Sequence, residues 1–109
     1  MTRRLEGAGA ERAQGPTDLG TVPPVRRHLR RALDDGARFV VLDLAAVRLI
    51  DSTALGMMVW LHKELLDRDG RVYVAAARPV VRNVLQLTSA DRLIRLSEDI
   101  DAAEADISA

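Results

Sequence analysis

The chain has 109 residues, 48% of them hydrophobic, with 16 Lys and Arg balanced by 16 Asp and Glu. That suffices for one small domain with one core, and a zero net charge excludes the strongly basic footprint of a dedicated nucleic-acid binder. No cysteine and only two histidines, His28 and His62, exclude disulfides, a thiol nucleophile and cysteine-based zinc sites and leave little for any metal site, so neither metal nor cofactor is expected.

The first residues carry Gly7, Gly9, Gly15, Pro16 and Gly20 with few large apolar side chains. Met1 to about Leu19 therefore reads as mobile, with at most a short edge strand near Arg3–Leu5. The domain is expected over residues 15–109, with 1–14 as a mobile N-terminal segment.

From Thr21 the signals sharpen. Thr21 can cap a helix that Pro23 and Pro24 tolerate in its first turn. Val22, Val25, Leu29, Ala32 and Leu33 recur at helical spacing, with Arg26, Arg27, Arg30 and Arg31 on the other side, and Gly36 ends the helix. Phe39-Val40-Val41-Leu42-Asp43-Leu44 is a short apolar run suited to a strand covered on both faces. A second helix is predicted over about Thr53–Arg68, with Leu55, Met58, Val59, Leu61, His62, Leu65 and Leu66 on a broad apolar face, stopped at Asp69-Gly70. Arg71–Ala76 is the next strand. Pro79 opens a third helix whose buried side is read as Val80, Val81, Val84, Leu85 and Leu87. Leu93–Leu96 reads as a last short strand and Asp99–Ala105 as a last short helix. Helices and strands alternating through short connections point to an α/β fold with a mostly parallel sheet and about four helices.

The segment between the central strand and the second helix carries the chemistry. Leu49-Ile50-Asp51-Ser52-Thr53-Ala54-Leu55-Gly56 sets two hydroxyls at a helix N-terminus, where free N–H groups and the helix dipole favour negative charge. The plainest role for Asp51 or Ser52 there is an N-cap. A phosphate on Ser52 would meet those N–H groups and would also face repulsion from Asp51 and from Asp43 if that side chain lies near. It would add about 1.5 to 2 negative charges. Gly56, inside the helix, costs about 1 kcal/mol relative to Ala and is tolerable where another backbone approaches.

Other groups weigh less. The four arginines read as a solvated helix face, since the chain is neutral and no aromatics interleave them. His62 lies ten residues past Ser52 on one helix, about 15 Å along its axis, too far to act as its base. Met57, Met58 and Trp60 read mainly as core, with an exposed docking patch as the alternative. Asp34, Asp35, Asp67 and Asp69 read as solvated turn residues. No glycine-rich phosphate loop is present, so ATP is expected to belong to a partner.

Asp51-Ser52-Thr53-Ala54-Leu55-Gly56, set after an apolar strand, resembles the signature of the STAS domain, in particular of the bacterial anti-sigma factor antagonists. Gly15-Pro16-Thr17-Asp18-Leu19-Gly20-Thr21 resembles the family's segment before its first helix. Val40–Leu44 resembles its central strand, and Gly70–Val74 and Pro79–Thr88 its later strand and helix. Three residues depart from these motifs: Ala54 and Ser89 occupy positions where the family often has Gly, and Pro16 is the third. Pro16, in place of the family's Glu, cannot donate a ladder hydrogen bond.

The resemblance implies a non-enzymatic, cytoplasmic binding module that does not insert into membranes. Its partner would be an anti-sigma factor serine kinase with a GHKL-type ATP site, and docking would release a sigma factor. The kinase would end that docking by phosphorylating Ser52, with Thr53 as the alternative acceptor, and a PP2C-type phosphatase would reverse it. Asp51, Ser52, Thr53, Ala54, Leu55 and Gly56 would form the partner-binding box. Two other roles fit the same resemblance without phosphorylation: a docking subunit of an ABC-type lipid transport complex and a part of a stress-sensing scaffold. A nucleotide-binding or other small-molecule α/β module is a third class. The absence of a transmembrane-length apolar run and of a signal-peptide pattern agrees with the cytoplasmic reading.

Overall fold

The structure, a computed structural model, describes the backbone of residues 2–5, 10–14 and 22–108 and the side chains of 22–108. Among the described residues, five strands form one sheet: β1 (Thr2–Leu5), β2 (Ala10–Gln14), β3 (Phe39–Asp43), β4 (Arg71–Ala75) and β5 (Arg95–Ser97), adjacent in chain order. β1 and β2 run antiparallel; the other three pairings are parallel. The helices are α1 (Val22–Asp34), α2 (Ser52–Leu66), α3 (Pro79–Leu87) and α4 (Ile100–Ser108), with one 3-10 turn at Ala90–Arg92. This is the mostly parallel α/β architecture that the alternation of elements implies.

The N-terminal expectation needs correction. The sequence reading allows at most a short edge strand near Arg3–Leu5; β1 lies there, and β2 is a second strand that the reading does not contain. β2 pairs along its full length with β3, from Ala10 opposite Phe39 to Gln14 opposite Asp43. Its sequence, Ala-Glu-Arg-Ala-Gln, has no β-branched or aromatic residue, so local propensity gives no strand signal. The pairing is a product of the neighbouring ladder. Pro16 and the rest of the Gly15–Thr21 motif, including the expected Thr21 cap, lie outside the described residues.

The pleat divides the core between two faces. Val40, Leu42 and Leu44 of the β3 segment and Val72 and Val74 of β4 face α1, α2 and α3, and meet Leu29, Leu33, Met57, Met58, Leu61, Leu65, Val81 and Leu85. Val41, Tyr73 and Ala75 face the other way, where Ala103 of α4 packs with Phe39, Ile100 and Ile107 around it. The continuous apolar reading of β3 thus has its cause: both faces are covered.

On α3 the buried side is narrower than the sequence reading. Val81 and Leu85 are buried, one turn apart, and Val84 is half-buried. Val80 and Leu87 are exposed, Leu87 at 85%. A helix of nine residues lying on a sheet presents one stripe to it, and residues 80 and 87 fall outside that stripe.

Helix ends follow backbone chemistry. Gly36, at φ 97°, ends α1: its N–H donates to Leu33 O at 3.0 Å and that of Ala37 to Ala32 O at 2.9 Å, the paired bonds of a Schellman motif. At the end of α2 the left-handed residue is Asp69, at φ 56°, with Asp69 N–H to Leu66 O at 3.3 Å and Gly70 N–H to Leu65 O at 2.8 Å. Gly70 serves a different need. A Cβ there would lie 1.7 Å from the backbone oxygen of Arg38, the atom that accepts the Arg71 N–H at 3.0 Å.

Candidate functional site

The site starts where the chain leaves β3. Asp43 Oδ1 accepts the Ala45 N–H at 3.0 Å and turns the backbone. Its side chain lines a shallow hollow of roughly 430 Å3 with Ala76, Asp99, Asp101 and Glu104, on the α4 side of the sheet. It therefore points away from the face that carries α2. Buried Val47 and Ile50 anchor the connection to the core, while Leu49 between them is 69% exposed.

Asp51 then caps α2. Its backbone is extended (φ −98°, ψ 179°), its Oδ1 accepts the Ala54 N–H at 2.9 Å, and its carbonyl accepts the Leu55 N–H at 3.1 Å. Capping, the plainest role for this segment, is what Asp51 does. Ser52 is thereby released for other use. It is the first residue of α2, it is exposed, and no described residue hydrogen-bonds its hydroxyl.

The rest of the box separates by burial. Asp51, Ser52 and Gly56 are exposed, Thr53 and Leu55 are half-buried, and Ala54 is completely buried in the core. Ala54 thus holds the box to the sheet, and its side chain presents nothing to the surface. Gly56 has open space around it: an added Cβ would meet no atom within 4 Å. No described residue requires glycine there. Leu49 was missed as a surface residue, because by composition it matches its buried neighbour Ile50.

The remaining candidates lie elsewhere. Met57 and Met58 are core residues, each 1% exposed, whereas Trp60 is half-buried beneath arginines of α1. His62 is half-buried on α2. Among the described residues there is no group of three or more His, Asp or Glu arranged to hold a metal ion, and no helix is long and apolar enough to cross a membrane.

Comparison with known proteins identifies the family and the fold. Residues 1–103 match the family model of the STAS domain. The chain is 29% identical over 84 residues to an anti-sigma-B factor antagonist of Staphylococcus aureus, covering 77% of this chain and 78% of that one. Its fold resembles that of an anti-sigma factor antagonist from Mycobacterium paratuberculosis, with a TM-score of 0.82 at 23% identity over 100% of this chain and 94% of the other. It also resembles the anti-sigma factor antagonist SpoIIAA in its unphosphorylated form, with a TM-score of 0.80 at 17% identity, covering 100% of this chain and 98% of that one. The chain belongs to the STAS domain family, alongside anti-sigma factor antagonists.

Proposed function

We propose that this protein is a cytoplasmic, non-enzymatic partner switch: it docks on an anti-sigma factor serine kinase, releases a sigma factor, and is dismissed by phosphorylation of Ser52. The observation that carries the reading is the exposed Ser52 hydroxyl at the first turn of α2, free because Asp51 has taken over the cap. Leu49, Asp51, Thr53, Leu55 and Gly56 surround it as the docking face. Exposed Leu49 supplies apolar contact, and Gly56 lets a partner's backbone come close to the helix.

The switch follows from charge. A GHKL-type kinase would transfer the γ-phosphoryl group of its ATP to Ser52 Oγ. The bridging P–O bond breaks, ADP leaves, and the hydroxyl proton passes to a base on the kinase. The helix dipole favours the new anion, but the Asp51 carboxylate is its chain neighbour and its capping oxygen is already committed to Ala54. In a closed interface an unpaired dianion is costly to desolvate, so the complex opens. A PP2C-type phosphatase would hydrolyse the ester and restore the neutral face. Thr53, half-buried, is the poorer acceptor.

Incubation with the cognate kinase and ATP, followed by mass spectrometry, should locate phosphate on Ser52, and Ser52→Ala should remove it. A pull-down should recover the kinase with wild type and lose it with Ser52→Asp. Leu49→Ser should weaken recovery about tenfold, as expected for a central apolar contact, without lowering the melting temperature. Phosphate at neither Ser52 nor Thr53, or equal recovery by Ser52→Asp, would reject the switch.

A further inference from the structure

Beyond the docking face at Ser52, a second surface is built between α1 and α2. Arg26, Arg27, Arg30 and Arg31 line an open depression of roughly 500 Å3 whose floor is Pro23 and Trp60. The guanidinium carbons of Arg26 and Arg30 stand 4.5 and 5.4 Å from the centre of the Trp60 ring. Glu64 pairs with Arg30 at 3.0 Å and with Arg68 at 3.6 Å. Among the described residues no carboxylate pairs with Arg26, Arg27 or Arg31.

We propose that this depression binds an acidic protein segment, with carboxylates on the arginines and an apolar side chain over Pro23 and the edge of Trp60. Three features favour that occupant. The arginines form two pairs one helical turn apart, about 6 Å, which is the spacing of carboxylates four apart on a helix or two apart on an extended chain. Guanidinium groups take carboxylates in fork-to-fork geometry, and stacking on an indole holds two of them ready, so less side-chain freedom is lost on binding. Arginine clusters are a recurrent means of reading acidic motifs.

Nucleic acid fits less well. The chain has zero net charge, and its other two aromatic rings, Phe39 and Tyr73, pack on the α4 side of the sheet. Trp60 therefore stands without a second ring for base stacking, and the molecule has no general positive field to hold a polyanion.

Trp60 is the only tryptophan, so the site carries its own reporter. Titration of the full chain with a short oligoglutamate peptide should change Trp60 emission saturably, and calorimetry should give the same affinity. Raising the salt concentration should weaken it. The pairs Arg26→Gln with Arg30→Gln, and Arg27→Gln with Arg31→Gln, should each weaken binding about tenfold or more while the melting temperature stays close to wild type. The second pair leaves the two ring-stacked guanidiniums in place and so separates lost ligand contact from a changed tryptophan environment. No saturable change, or binding that survives both pairs of substitutions, would overturn the proposal. So would tighter binding of oligouridylate, which would make the surface an RNA site, or concentration-dependent dimerisation in sedimentation that the same substitutions abolish, which would make the occupant a second copy.

Discussion

At the scale of single residues, the N-terminus of α2 divides labour between neighbours. Asp51 provides the cap, so Asp51→Ala should cost about 1 kcal/mol in chemical denaturation, the usual value for a lost N-cap oxygen. Ser52→Ala should cost little, because no described residue bonds its hydroxyl. Gly56 shows the opposite balance. Its site is open and its backbone helical, so Gly56→Ala should raise stability by about 0.5–1 kcal/mol through helix propensity alone. If the face around Ser52 binds a partner, the same substitution should weaken that binding, because a methyl group then stands where the partner's backbone comes close. A denaturation curve and a binding isotherm on one variant measure both effects, and their opposite signs are the signature of a glycine kept for contact with another molecule.

At the scale of elements, strand and helix junctions depend on where backbones cross. Gly70 is the tightest such point. Any side chain there runs into the Arg38 backbone, which is fixed by its bond to Arg71 N–H at the start of the β3–β4 ladder. Gly70→Ala should therefore destabilise by about 1–3 kcal/mol, the range for overpacking a site that cannot yield, and a lowered denaturation midpoint would register it. Asp69-Gly70 is legible in sequence as a helix stop, yet the division of roles is not. Asp69 takes the left-handed backbone, and Gly70 makes room for another strand. Ser89 adds a related case. It sits at φ 61°, in the left-handed region that glycine adopts without strain.

At the scale of the whole molecule, α4 closes the sheet face opposite α1, α2 and α3, and polar contacts at Asp106 help to fasten it. The Tyr73 hydroxyl donates to Asp106 Oδ2 at 2.5 Å, and Arg95 Nε lies 3.3 Å from the same oxygen. Burial raises the Tyr73 pKa above its ordinary value of 10.0, reinforced by the hydrogen bond to Asp106 and its negative charge, with Arg95 and Arg71 opposing. The folded state thus holds the phenolic proton more tightly than the unfolded chain does. That contribution is complete below pH 10.0 and is lost as the pH rises from there through the raised folded value. Tyr73 is the only tyrosine, so tyrosinate absorbance should titrate late in the native protein. Stability should fall more steeply above pH 10.0 in wild type than in Tyr73→Phe.

The sequence by itself determined the elements whose signal is local. Periodic apolar faces and helix stops marked α1 and α2, the apolar runs marked β3 and β4, and the Asp51–Gly56 box marked the junction between strand and helix. Only the tertiary structure decided what depends on a neighbour. β2 exists through its ladder with β3, Leu49 is exposed while Ile50 is buried, and Val80 and Leu87 lie off the stripe that meets the sheet. It also decided that Asp51 rather than Ser52 caps the helix, and that Trp60 collects arginines from α1. The reason is physical: propensity and periodicity are properties of a segment, whereas strand pairing and burial are settled by atoms distant in the chain, and the choice of cap by a backbone geometry that the order of residues does not spell out.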